Sequence, residues 1–285
     1  MLLQKTEKCP VCQGISSQIL YELNQSQTRL LVCNNCQTIF YTPRPTPQEL
    51  ANFYNSSEYR HCYENSTMTG LDFAKARYQE LIKIINSYHP SVLSIKNKKL
   101  LDVGCGVGDL LTIASKDNWD VTGTEISPEA TMEANRKLDN KVLTGDLLSL
   151  DLPNNSYDLI TIYHVIEHLI SPTSILEKIY QLLKPGGVAF VETPNIASLG
   201  ARIKKEKWSN IKPPEHITYF KPNSLKYVLS TVGFEQYNVF TNAPHIVEST
   251  ENWNPALKFV ANLVYKMVPY VGMGATLQAI AIKTK

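Results

Sequence analysis

Residues 100–111, LLDVGCGVGDLL, join an apolar strand to a glycine turn and then to a helix, and that order leaves few folds open. At such a junction the backbone N–H groups of the helix start face whatever sits above the turn, so the stretch is a ligand cradle as well as a connection. A dinucleotide fingerprint, G-x-G-x-x-G, needs glycine or alanine at its sixth position so that helix and strand can close. Here Gly104, Gly106 and Gly108 are followed by Asp109 at that position. Asp102 and Asp109 would also flank any pyrophosphate, and two carboxylates repel a phosphate while attracting an ammonium. Both features argue against an NAD-dependent dehydrogenase.

From Lys99 onward, short apolar runs alternate with helical stretches, the pattern of a parallel sheet with crossover helices. Strands are expected at 99–103, 120–124, 141–144, 157–163, 187–193, 234–241 and 276–283. Together they predict an α/β fold with a doubly wound, seven-stranded, mostly parallel sheet spanning 99–285. Residues 194–221 show no clear element and exceed the usual loop of about 2–6 residues, which marks them as a lid. Residues 254–268 read as an inserted helix, with Asn254 and Pro255 at its start and Pro269 at its stop.

The second strand ends in Glu125, 23 residues after Asp102, where a carboxylate can accept both hydroxyls of a ribose. Asp146, in TGDLLSL, ends the third strand and is placed to accept an adenine amino group. S-adenosylmethionine carries an ammonium, a sulfonium and an adenosine but no phosphate, so it satisfies the glycine loop and the acids together. With these residues the chain resembles the class I S-adenosylmethionine-dependent methyltransferases, through DVGCGVG, the acid of TGTEIS, Gly145–Asp146, YDLITIYHVIEHL and LLKPGG. The core is similar to that of ubiquinone-biosynthesis O-methyltransferases. The resemblance implies a cofactor site lined by Asp102, Gly104, Gly106, Glu125, Asp146 and the backbone of Tyr163 and His164.

Ahead of this domain, CPVC (Cys9, Cys12) and CNNC (Cys33, Cys36) form C-x2-C-x20-C-x2-C, and four thiolates on two short turns can close a tetrahedron around Zn(II). Residues 1–42 are therefore expected to be a zinc ribbon, too small to hold a core without its metal. Residues 43–98 follow as a helical linker or cap, with helices at 48–54 and 71–88. A ribbon before such a domain is similar to bacterial methyltransferases of surface-glycan, lipid or secondary-metabolite pathways, which implies a small-molecule or lipid-linked acceptor. The N-terminus MLLQKTEKC has no apolar run suited to a signal peptide, so the cytoplasm is the expected compartment. A formal net charge of +2 gives no field for gripping a polyanion, which weighs against the alternative of an RNA methyltransferase. Helix 254–268 is apolar on most of its surface, and three settings suit it: a core, a homodimer contact, or a peripheral membrane contact.

The run ITIYHVIEHLISP puts His164, Glu167 and His168 at the carboxyl end of the fourth strand, and PPEHITYF brings His216 from the lid. These four form the expected catalytic end of the crevice. YHVIEHL resembles the E-x-x-E-H stretch of metal-assisted methyltransferases, with His164 in place of the first glutamate. Two mechanisms stay open: His216 or His168 as a general base, or a second divalent metal in the cluster that polarises an acceptor hydroxyl. A non-catalytic scaffold that binds S-adenosylmethionine through the same loop is the alternative from outside enzymology.

Overall fold

The computed structural model describes residues 7–23, 28–54, 70–242, 254, 263–264 and 266–284. A first sheet begins with β1 (Ser17–Glu22), β2 (Arg29–Cys33) and β3 (Ile39–Thr42), each antiparallel to the next. Helices α1 (Pro47–Tyr54) and α2 (Leu71–Tyr88) follow. In α2, Ala74, Tyr78, Leu81 and Ile85 recur at helical spacing and are the buried face, as the pattern predicts.

The second sheet takes up β4 (Lys99–Val103), β5 (Asp120–Glu125), β6 (Val142–Thr144), β7 (Tyr157–Tyr163), β8 (Leu183–Pro194), β10 (Gln236–Asn242) and β11 (Thr276–Ile282), in the order β10-β11-β8-β7-β4-β5-β6. The pairs among β4 to β8 are parallel, and β11 runs antiparallel to both β8 and β10. Every residue of β7 is buried, as a strand covered on both faces must be. Between strands lie α3 (Asp109–Lys116), α4 (Pro128–Leu138), α5 (Pro172–Leu182) and, before β10, α7 (Pro222–Val232). The doubly wound sheet is therefore present, and the strand order reverses between β4 and β7, the switch point at which such sheets bind ligands outside their carboxyl ends.

Two expectations need correction. The fifth strand starts at Leu183 rather than 187, because Leu183 already pairs with Tyr157 and a register shift after Tyr157 absorbs the LKPGG turn. Residues 194–221 are not featureless: they hold α6 (Leu199–Lys204), a 3-10 turn (Lys205–Lys207) and β9 (Thr218–Tyr219). Strand β9 pairs antiparallel with β3 and makes the first sheet four-stranded, β1-β2-β3-β9. A strand this short carries no local pattern, since only its partner, some 180 residues earlier, defines it.

The cysteine ribbon also shares the main core. Cys9, Val11, Cys33, Cys36 and Phe40 pack in one continuous cluster with Leu101, Ile160 and Ile175. The opposite sheet face packs against α2, α3 and α4 through Tyr78, Leu81, Leu111 and Ala134. Most of the expected helix 254–268 lies outside the described residues; within it Leu263, Val264 and Met267 are exposed and Val268 is buried. Among the described residues no helix is long and apolar enough to cross a membrane.

Gly104 (φ +70) ties the glycine turn to the end of β7, because a Cβ there would stand 2.4 Å from Val165 Cγ2. Gly104→Ala is expected to lower the unfolding free energy by about 2–4 kcal/mol, from a left-handed alanine and an overpacked contact together. Urea denaturation of the variant measures it.

Candidate functional site

Because β4, β5, β7 and β8 are parallel neighbours, the loops after them gather at one edge of the sheet. Asp102 lies within β4, buried, and accepts a 2.7 Å hydrogen bond from Thr161 Oγ1. Burial pushes its carboxyl up to about 7, against the opposing pull of Thr161 and Arg77. An ammonium brought beside it would restore the charged form. Glu125 accepts from Gly106 N through one oxygen and Ser127 N through the other, both at 2.9 Å, which fixes the carboxylate against the glycine turn. Each oxygen keeps a further lone pair for a ligand hydroxyl. Asp109 is drawn to Lys137 Nζ at 3.0 Å, which offsets part of its charge. Asp146 is exposed, and one of its oxygens closes a turn by accepting from Leu148 N at 2.9 Å.

Tyr163 ends β7 with its ring packed on Phe190 and its hydroxyl buried without a partner. The Arg77 guanidinium from α2 sits 4.5 Å from the centre of that ring and 3.4 Å from Glu192 Oε1. His164 follows with φ +53, a left-handed conformation uncommon outside glycine and found where a site imposes it.

That backbone turn places the His164 ring between two acids. Nδ1 is 3.2 Å from Glu167 Oε1, and Nε2 is 3.2 Å from Glu192 Oε1. Burial works against the ring's charge, but the two carboxylates outweigh it and hold the pKa at about 9. His164 is thus an imidazolium donating from both nitrogens, with no lone pair to take an acceptor's proton. Of the four residues expected at the catalytic end, it is the one bonded between Glu167 and Glu192, outside the close group of Glu167, His168 and His216.

Glu167 is buried in the single 3-10 turn Ile166–His168. Burial alone would raise its pKa; His164 and the nearby His168 and His216 bring it down to about 2. Its second oxygen accepts from Thr193 Oγ1 at 2.9 Å. His168 Nδ1 donates to the Glu215 carbonyl at 3.0 Å and His216 Nδ1 to the Asn210 carbonyl at 2.7 Å. A carbonyl only accepts, so both Nδ1 atoms carry a proton, and on the neutral His216 ring the lone pair lies on Nε2. Burial, with His168 alongside, lowers the His216 pKa to about 4 and keeps the ring neutral. The two rings meet edge to face at 4.7 Å, and one ligand atom from each of Glu167, His168 and His216 lies within 4.8 Å of the others. Two imidazole nitrogens and a carboxylate oxygen so placed suit a divalent transition ion.

The four cysteine sulfurs likewise lie within 4.8 Å of one another, with Cys9 and Cys36 at 3.5 Å and Cys12 and Cys33 at 3.4 Å. None is in a disulfide. Thiolates at this spacing repel unless a cation lies between them, and tetrahedral Zn(II) fits the donor set. Sequence reasoning missed Glu192, Thr193 and Arg77. Glu192 did carry a signal, an acid in the otherwise apolar run VAFVETP.

Known proteins agree with this architecture. Residues 73–239 match the family model described as a methyltransferase domain. That is more than half of the chain, and the chain belongs to this family. A ubiquinone biosynthesis O-methyltransferase from Pseudomonas putida (strain W619) is 32% identical over 110 residues, which cover 36% of this chain and 47% of that protein, so the chain spans about half of that relative's length. Among solved structures, a SAM-dependent methyltransferase from Archaeoglobus fulgidus superposes with a TM-score of 0.57 at 22% identity, over 79% of this chain and all of that one. The plantazolicin methyltransferase BpumL in complex with SAH gives a TM-score of 0.56 at 20% identity, over 83% of this chain and 94% of that one. At these identities the structural likeness is one of fold.

Glu167→Gln removes one of the two carboxylates that face the buried His164 charge, with Glu192 left opposite Nε2. The variant is expected to lose about 2–4 kcal/mol of unfolding free energy, the scale for breaking one side of a buried pair. Thermal or urea denaturation at neutral pH measures it.

Proposed function

We propose that the protein transfers a methyl group from S-adenosylmethionine to a hydroxyl oxygen of a small-molecule, glycan or lipid-linked acceptor. The observation that carries this reading is the contact between the glycine turn and Val165, between His164 and Ile166, which puts the ammonium-seeking acid and the imidazole cluster on adjoining loops. Asp102 takes the cofactor's ammonium, Glu125 its ribose hydroxyls and Asp146 its adenine amino group, while the Tyr163–His164 backbone lines the site. S-adenosylmethionine supplies an activated methyl on a positively charged sulfur. The protein's part is then alignment, exclusion of water and removal of one proton. Neutral His216, or His168 beside it, accepts the acceptor's hydroxyl proton on Nε2 as the oxygen bonds to the methyl carbon and the carbon–sulfur bond breaks. Glu167 opposite them steadies the imidazolium that results.

The spacing within Glu167, His168 and His216 supports a second form of the same chemistry, in which they hold a divalent ion that lowers the hydroxyl's pKa. Restoration of turnover by added metal after mild chelation selects that form; loss of turnover in His216→Ala without metal dependence selects the base. The lipid-linked class of acceptor, and a membrane or homodimer contact near the exposed Leu263, Val264 and Met267, belong to the same proposal and are tested by liposome flotation and sedimentation.

S-adenosylmethionine, and not NAD, should raise the melting temperature, and turnover with the true acceptor should release adenosylhomocysteine. The Asp102 carboxyl also sets a pH dependence. Its pKa is about 7 before the ammonium arrives and lower afterwards, so binding releases a proton and tightens as pH rises. Between pH 6 and 7 the affinity should rise by about three- to tenfold, and Asp102→Asn should bind weakly with a flat profile. Calorimetry across that range checks the sign, and a wild-type profile without slope contradicts the role given to Asp102.

A further inference from the structure

We propose that the cysteine ribbon is a wall of the acceptor crevice, and that zinc on Cys9, Cys12, Cys33 and Cys36 sets the position of His216 through the paired strands β3 and β9. The proposal rests on the reading that His216 acts on the acceptor. The link runs through named atoms. Cys33 ends β2, and Cys36 closes the turn before β3; Cys33 N donates to Thr38 O at 2.9 Å, and Thr38 Oγ1 lies 3.2 Å from Cys36 Sγ, to which its hydroxyl donates once the sulfur is a thiolate. One residue further on, Ile39 and Phe40 pair with Tyr219 and Thr218 of β9.

The joint itself is Ile217, the residue after His216. Its carbonyl accepts from Tyr41 N of β3 at 3.0 Å, and its N–H donates to the Glu167 carbonyl at 2.8 Å. A single residue therefore bonds the ribbon to the catalytic turn. Tyr219 returns its hydroxyl to the His216 carbonyl at 3.0 Å. Both knuckles are tied down as well, Val11 O by Thr173 Oγ1 at 3.0 Å and Gln37 Oε1 by Lys221 Nζ at 3.1 Å. A two-residue strand has no stability of its own, so β9 stays where the ribbon edge holds it. Among the described residues, the hydrogen bonds of Asp102, Gly106 and Glu125 involve no ribbon residue, so the proposal leaves the cofactor side of the crevice outside this dependence.

The experiment uses the full chain, with zinc measured by metal analysis, before and after its removal, and a Cys12→Ser variant alongside. Hydrogen exchange is followed on peptides covering 38–42 and 215–220, and S-adenosylmethionine affinity by calorimetry. On zinc loss both peptides should lose protection together, by about a hundredfold in exchange rate, while cofactor affinity stays within about threefold. Added zinc should restore both. Persistent protection of 215–220 in the zinc-free protein overturns the proposal. So does a collapse of cofactor binding in step with the metal, which would make zinc a requirement of the whole fold. Tyr219→Phe, which leaves the ribbon ligands alone, should speed exchange at 215–220 and lower kcat about tenfold without changing cofactor affinity; no change in either would also overturn it. His216→Ala in zinc-loaded protein separates the two ideas: normal turnover there removes the catalytic role of His216 and leaves the exchange result standing.

Discussion

One buried charge organises the crevice, the Glu167 carboxylate. A carboxylate taken out of water is costly unless charge and hydrogen bonds surround it, and its partners come from its own turn, from β8 and from the segment before β9. His164 reaches it from the end of β7 and Thr193 from the end of β8. His168 and His216 stand on its remaining side, and its own backbone carbonyl holds Ile217. Satisfying this one group therefore fixes the relative positions of β7, β8 and β9. It also accounts for the left-handed backbone at His164, since the ring must bridge Glu167 and Glu192 at once.

The sheet was legible in the sequence because long-range pairing there follows local pattern. Runs such as YDLITIY are apolar throughout, and a parallel sheet covered on both faces asks for nothing else. The glycine turn was legible for a similar reason, since positive φ at Gly104, Gly106 and Gly108 leaves a mark in residue type. What stayed hidden depends on partners far along the chain. Strand β9 is defined only by β3, and the division of labour among the histidines is set by which carboxylates face them. His164 and His168 look alike in sequence, one helical turn apart, yet one sits between two carboxylates and the other donates Nδ1 to a backbone carbonyl. The turn there is a short 3-10 segment rather than a full α-helix, so the two rings do not share a face.

The acids on the cofactor side follow a different rule. Asp102 is buried beside Thr161 with its pKa raised to about 7, which poises the carboxyl between its two forms near neutral pH. Such a group favours a cation by more than simple attraction, because the ligand also removes the cost of ionising in a buried place. Glu125 is held differently, with both oxygens already bonded to backbone N–H groups, which fixes its geometry. One acid answers to the ligand's charge and the other presents fixed acceptors.

The same contrast separates His168 and His216, which the proposed mechanism turns toward the acceptor, from His164. A general base must be neutral when the acceptor arrives and able to hold a proton afterwards. His216 meets the first condition through burial and the carbonyl bond at Nδ1, and Glu167 supplies the second, because its negative charge stabilises an imidazolium only a few ångströms away. A divalent ion asks for the same lone pairs and the same carboxylate. The geometry that suits one mechanism therefore suits the other, and the choice between them passes to the charge on Glu167, which His164 already half neutralises. With that imidazolium in place, the site offers a metal two imidazole nitrogens and one carboxylate oxygen, a donor set that favours a borderline ion such as zinc or iron over magnesium.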